Sequence, residues 1–149
     1  MQPTTIKADE ISIRQATEDD AEALSSLIGE LGYPTAPATA LERLRNSTAV
    51  GDCVLVAVYQ SNVIGLILLH RTPFLHRTPD GRISTLVVSD DYRGQGVGGR
   101  LLVAAEAVFR EWGCSRIELS SGAQRADAHR FYLRAGYSEQ PKRFIKVLA

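Results

Sequence analysis

The segment Arg93-Gly94-Gln95-Gly96-Val97-Gly98-Gly99 constrains this chain more than any other. It stands between an aliphatic run ending at Val88 and a helical pattern in which Leu101, Leu102, Ala105, Val108, Phe109 and Trp112 share one face. A strand that passes through a glycine-rich turn into a helix aims the first N–H groups of that helix outward, where they attract an anion. The glycines remove the Cβ atoms that would hold a phosphate off, and they tolerate the left-handed angles that let several donors converge. The helix dipole adds roughly 0.3–1 kcal/mol for a bound anion, and Arg93 offers a charge-assisted bond. The turn therefore suits a pyrophosphate.

Taken alone, the turn has other readings. One is a tight turn whose glycines serve packing only. Another is a dinucleotide site, because Gly94, Gly96 and Gly99 satisfy G-x-G-x-x-G and Glu118 follows at a suitable distance. Position counts against it: the chain ends at Ala149, too soon for several further βα units, and Glu118 sits mid-strand between Ile117 and Leu119. No Lys-Ser or Lys-Thr follows the glycines, so a nucleoside-triphosphate loop is poorly supported.

The remaining pattern reads as an α/β chain. Ile11 and Ile13 alternate with polar residues in a strand ending near Gln15. Thr17 and Asp20 have the spacing of a capping box, and Leu24, Leu27, Ile28 and Leu31 form a helical stripe stopped by Gly32 and Pro34. A short helix is expected over about Ala38 to Asn46. Cys53 to Tyr59 and Val63 to His70 read as a hairpin around Gln60, Ser61 and Asn62. A Pro-containing loop, Arg71 to Asp80, leads to a strand from Ile83 to Val88. After the glycine turn and its helix come a strand at Arg116 to Ser120, a helix at Arg125 to Ala135 closed by Gly136, and a terminal strand at Phe144 to Leu148. The order β-α-α-β-β-β-α-β-α-β implies a mixed sheet with helices packed on it. Residues 1–10 read as a flexible segment and 11–149 as a single domain.

At 149 residues with 44% hydrophobic and 23% charged side chains, the chain has the material for one buried core. Its formal net charge is zero and its charges are spread along the chain, which gives no electrostatic footprint for nucleic acid or a membrane surface. No apolar stretch is long enough to span a bilayer as a helix, and Met1 to Glu10 lacks the pattern of a secretory signal. Cys53 and Cys114 stand alone without metal-ligand spacing, so no metal is expected and the thiols read as reduced. A cytoplasmic location and a small-molecule or exposed-amine substrate are the expectations.

A resemblance sharpens this reading. Leu86-Val87-Val88, then Tyr92-Arg93-Gly94-Gln95-Gly96-Val97-Gly98, then Leu101-Leu102 resembles the acetyl-CoA signature of the GNAT superfamily of N-acetyltransferases. Downstream, Ala128-His129-Arg130-Phe131-Tyr132-Leu133-Arg134-Ala135-Gly136-Tyr137 is similar to a second segment of that family. The order of elements agrees from Ile11 to Leu148. The resemblance implies the GNAT fold, a mixed sheet of six to seven strands flanked by about four helices. It implies acetyl transfer from acetyl-CoA to an amine, with a GNAT-fold module that binds acetyl-CoA without turnover as the alternative. A homodimer is common among similar proteins, though no residue pattern here specifies one.

The resemblance also distributes roles. Main-chain groups of Leu86, Val87 and Val88 would bind the pantetheine arm as a missing strand would, and the N–H groups from Gln95 to Gly99 would hold the pyrophosphate. Tyr132 matches the general acid; a phenol with a pKa near ~10 is protonated at neutral pH and can still donate. The Val88 N–H is the oxyanion donor, and Ser121 or Gln124 stands where many relatives carry an asparagine that contacts the cofactor. The general base is where the match weakens. Many relatives place a carboxylate early in the strand before the turn, where this chain has Arg82, Ser84 and Thr85. Deprotonating a lysine-like amine at pH 7 costs roughly 4–5 kcal/mol from a pKa of ~10.4. His70, Asp80 and a water chain are the candidates, with His76 and His129 reading as structural or surface residues.

Overall fold

The computed structural model describes residues 5–120, 126–140 and 143–148, and the chain divides into two compact units, Met1–Leu119 and Ser120–Ala149. In the first unit, five strands form one sheet in chain order: β1 (Ile11–Gln15), β2 (Cys53–Tyr59), β3 (Asn62–Thr72), β4 (Asp80–Val88) and β5 (Arg116–Leu119). The first three joints are antiparallel, and β4 pairs with β5 in parallel. Three helices belong to this unit: α1 (Ala21–Leu31), α2 (Pro37–Ala49) and α3 (Val97–Glu111).

Local chemistry sets these boundaries. The predicted capping box is present, with the Thr17 N–H donating to Asp20 Oδ2 at 2.7 Å. It opens a short 3-10 turn, Glu18–Asp20, from which α1 continues. Gly32 ends α1 at φ 109°, and Pro37 takes the first position of α2, where its missing N–H costs nothing. Between β2 and β3, Gln60 and Ser61 both adopt positive φ, the geometry of a two-residue hairpin turn, so Asn62 already pairs with Tyr59.

Alternation along β2 divides the core. Val56 joins Leu24, Leu27, Leu44, Leu66 and Val87 in a buried cluster on the α1 and α2 side, with Val54 and Val58 packed against it. Leu55 and Ala57, also buried, have the opposite parity. α3 covers the second face with Val97, Leu101, Leu102, Ala105 and Phe109. Two glycines let it approach: Gly65 faces Leu101 and Val97, and Gly81 faces the Phe109 ring.

The second unit holds α4 (Ala126–Arg134), closed by Gly136 at φ 96° with the Tyr137 N–H donating to the Tyr132 carbonyl at 3.0 Å. The expected terminal strand at Phe144 to Leu148 does not form: residues 143–148 carry no regular structure, and Phe144, Ile145, Val147 and Leu148 are exposed. An apolar run is not by itself a strand, because its N–H and C=O groups need a partner ladder and no described residue supplies one. The sheet therefore has five strands among the described residues, not six to seven. The Arg71 to Asp80 loop is also shorter than expected, since β3 runs on to Thr72 and β4 starts at Asp80. No helix among the described residues is long and apolar enough to cross a membrane.

A Cβ at Gly81 would lie 2.4 Å from Phe109 Cδ1, and Phe109 is 1% exposed, so its ring has nowhere to move. Gly81→Ala is expected to lose about 1–3 kcal/mol through overpacking, seen as a lower urea midpoint with an unchanged slope.

Candidate active site

β4 and β5 part company in mid-strand. Their parallel ladder runs from Asp80↔Arg116 to Ile83↔Leu119 and stops, while β4 continues to Val88 against β3 alone among the described residues. Antiparallel pairing alternates the direction of main-chain groups. The Ser89 N–H donates to the Ile64 carbonyl at 2.8 Å, which puts Val87 on the bonded side facing β3 and turns the N–H groups of Leu86 and Val88 toward the open edge. The Val87 side chain is buried in the core cluster, whereas those of Leu86 and Val88 are half-buried. Sequence reasoning grouped these three residues; the register separates them by direction.

The glycine turn follows at the end of that edge. A short 3-10 turn, Asp90–Tyr92, is fixed by the Asp90 N–H on Glu30 Oε1 at 3.0 Å and the Tyr92 N–H on the Ser89 carbonyl at 2.9 Å. Gly94 and Gly96 then take φ of 74° and 85°. Gly96 is the N-cap of α3, and no side chain among the described residues caps that end. A Cβ at Gly94, Gly96 or Gly99 would meet no atom within 4 Å. Among the described residues, Gly94 and Gly96 thus serve backbone angle and access rather than packing, which counts against the first of the rival readings. The N–H groups of Val97, Gly98 and Gly99 open the helix, with the dipole behind them. This cradle fits a pyrophosphate. Arg93 is engaged within the turn, donating through Nε to the Val88 carbonyl at 3.2 Å and pairing with Asp90 at 2.8 Å. The Gln95 side chain accepts from the Ile6 N–H at 2.9 Å.

Tyr132 lies in α4 of the second unit, half-buried, with its ring 5.3 Å from Phe131 and 6.0 Å from Tyr137. Ser121 and Gln124 lie outside the described residues. His129 is half-buried on α4, and His76 sits in the loop against Phe74.

Of the base candidates, Asp80 is corrected. Its carboxylate is 1% exposed and paired with Arg77 at 2.5 and 3.0 Å and with Arg116 at 3.2 Å. The Arg77 hydrogen bonds, aided by the charge of Arg116, hold its pKa below the ordinary carboxylate value against the opposing effect of burial. A carboxylate so engaged is a poor proton acceptor. His70 is different: its Nε2 lies 2.5 Å from Ser84 Oγ and its Nδ1 lies 3.0 Å from Asp52 Oδ2. Sequence reasoning missed Asp52 and Ser84, since no local spacing links three residues that meet only through strand register. Ser84 is the unpaired residue of a bulge, because Leu69 faces Ile83 and Leu68 faces Thr85.

The comparisons agree with this architecture. The profile of the Acetyltransferase (GNAT) family matches residues 16–137. The chain is 37% identical over 139 residues to an aminoalkylphosphonate N-acetyltransferase of Salmonella typhimurium, covering 91% of this chain and 90% of that one. It is 30% identical over 134 residues to an aminoglycoside N(6')-acetyltransferase type 1 of Stenotrophomonas maltophilia, covering 86% of each. A crystal structure of a GNAT family acetyltransferase of Staphylococcus aureus superposes with a TM-score of 0.79 at 28% identity, over 93% of this chain and 99% of that one. The chain belongs to the GNAT acetyltransferase family and is an acetyl-CoA-dependent acyltransferase.

Because the Asp80 pKa is depressed, its contribution to stability is fully present above its unfolded value near ~3.9 and fades as pH falls through the lower folded value. Asp80→Asn is expected to cost about 2–3 kcal/mol at pH 7, since it leaves two arginines without their carboxylate. The loss should be smaller at pH 3, as urea unfolding at both values would show.

Proposed function

We propose that this enzyme transfers the acetyl group of acetyl-CoA to a primary amine of a small molecule, by direct attack of the amine on the thioester. The observation that carries this reading is the continuity between the open edge of β4 and the uncapped start of α3. The N–H groups from Gln95 to Gly99 take the pyrophosphate, with Gly94 and Gly96 giving the backbone its path and Arg93 stiffening the turn. Main-chain groups of Leu86 and Val88 take the arm, and the Val88 N–H donates to the thioester oxygen as negative charge develops there. When bound, acetyl-CoA supplies the activated acyl group. Tyr132 supplies a proton to the departing sulfur, and Ser121 contributes a cofactor contact. A single domain over residues 11–149 is part of this reading, and the span of the family match, 16–137, supports it. A cytoplasmic location fits a substrate pool of acetyl-CoA and small amines. The names of the two relatives, an aminoalkylphosphonate and an aminoglycoside acetyltransferase, support a small amine over a protein one.

The test has two stages. Acetyl-CoA is expected to raise the melting temperature by several degrees, as a ligand at about a hundred times its Kd adds ~2.7 kcal/mol. NAD and ATP should leave it unchanged. Gly96→Glu, which puts a side chain and a negative charge into the cradle, should abolish the shift, while Gly96→Ala keeps part of it at some cost in stability. Thiol release is then followed with 2-aminoethylphosphonate, an aminoglycoside, a polyamine and amino acids. Binding without thiol release on any amine would contradict the proposal and favour a binding module.

A further inference from the structure

The general base is the role that the resemblance leaves open, and of the candidates in the sequence His70 belongs to a constellation suited to it on the face of the sheet away from α3. His70 on β3 stands between Asp52, in the turn before β2, and Ser84 on β4: Nδ1 is 3.0 Å from Asp52 Oδ2, and Nε2 is 2.5 Å from Ser84 Oγ. Such a chain fixes the tautomer, because Nδ1–H donates to the carboxylate and leaves the Nε2 lone pair for the serine hydroxyl. The Asp52 side chain is 16% exposed and that of His70 28%, while Ser84 is exposed. The relay therefore runs from a sheltered carboxylate to an open hydroxyl.

Its place along β4 matters as much as its geometry. Ser84 immediately follows Ile83, the last residue paired with β5 among the described residues. Val88 lies four residues further on, about 13 Å away at the usual strand rise, at the end next to the glycine turn. A ligand arm anchored at the turn and held at the Val88 N–H leaves the stretch of β4 from Ser84 to Val88 between its thioester and the relay. The other charged group beside the imidazole is Arg82, cross-strand from His70, and it is paired with Glu118 of β5 at 3.0 Å.

We propose that Ser84 and His70, oriented by Asp52, form the proton-accepting relay that converts the acceptor ammonium to the attacking amine. This rests on the acetyl-transfer reading above. The ammonium passes one proton along a short chain of water to Ser84 Oγ as the Ser84 hydroxyl proton passes to His70 Nε2, and the imidazolium is held by Asp52 until it releases that proton to solvent. The neutral amine forms the C–N bond to the acyl carbon. The C–S bond breaks with its electron pair leaving on sulfur, and the second proton shed by nitrogen ends on that sulfur. Asp52 is a positioning residue.

The experiment compares wild type with His70→Gln, Ser84→Ala and Asp52→Asn, using 2-aminoethylphosphonate or whichever panel amine turns over fastest. At pH 7, His70→Gln is expected to lower kcat/KM about a hundredfold or more, with the acetyl-CoA melting shift preserved. The deficit should narrow as pH rises through the amine's own pKa, where the acceptor is neutral without help. A deficit equal at every pH, or none, overturns the proposal. Ser84→Ala should lose about tenfold, a water replacing the hydroxyl imperfectly. Asp52→Asn should lower kcat while leaving the KM for acetyl-CoA and the acetyl-CoA melting shift unchanged, a split that a merely structural role would not give. An acetyl group on Ser84, found by mass spectrometry after incubation with acetyl-CoA without amine, would make the serine a nucleophile and also overturn the proposal. Nitrogen-15 NMR of the imidazole needs no turnover: the His70 ring should hold its proton on Nδ1 in wild type and lose that preference in Asp52→Asn, and an unchanged tautomer would deny the coupling. Wild type that acetylates no amine would refute the acetyl-transfer reading, and the NMR comparison would still decide whether the relay exists.

Discussion

The early end of the β4–β5 ladder is the constraint on which the rest of the structure depends. Among the described residues, four residue pairs hold the two strands together, from Asp80↔Arg116 to Ile83↔Leu119, and beyond them β4 runs on with no partner on that edge. An exposed strand edge is normally a liability, since its N–H and C=O groups invite any extended partner. Here it leads directly into an uncapped helix start shaped by two left-handed glycines. A ligand that is extended at one end and anionic at the other satisfies both, which acetyl-CoA does.

Several distant features hold that arrangement in place. Gly81 lets the start of β4 sit on Phe109, and Asp80 locks the same end through Arg77 and Arg116, the latter on β5. These contacts keep the paired half together. At the other end, Val87 is buried with Leu24, Leu27 and Leu66, and Glu30 of α1 accepts from the Asp90 N–H, so the unpaired half is supported from the α1 side. The bulge at Ser84 lies between the halves and turns its hydroxyl toward His70.

Much of this was legible in the sequence because the signals were local. The Thr17–Asp20 capping box, the stripe from Leu24 to Leu31, the hairpin strands around Gln60 and Ser61, and the glycine turn all depend on residues a few positions apart, and all formed where expected. What local pattern could not give was pairing. Phe144 to Leu148 has strand-like composition, yet composition does not supply a neighbouring edge. Asp80 reads as an available carboxylate although Arg77 stands three positions before it, because loop spacing does not show which side chains pair, and the second arginine, Arg116 of β5, is thirty-six positions away. For the same reason Asp52 and Ser84 escaped notice: three strands in register bring them to His70.

Hydrogen exchange read by mass spectrometry, with and without acetyl-CoA, tests the central claim most directly, because N–H groups along β4 and at the start of α3 should exchange more slowly once a ligand covers them. The account predicts slowed exchange concentrated in peptides spanning Thr85 to Val88 and Gly94 to Arg100, with β1 and β2 unchanged. Acetyl-CoA that binds without protecting either segment would contradict it.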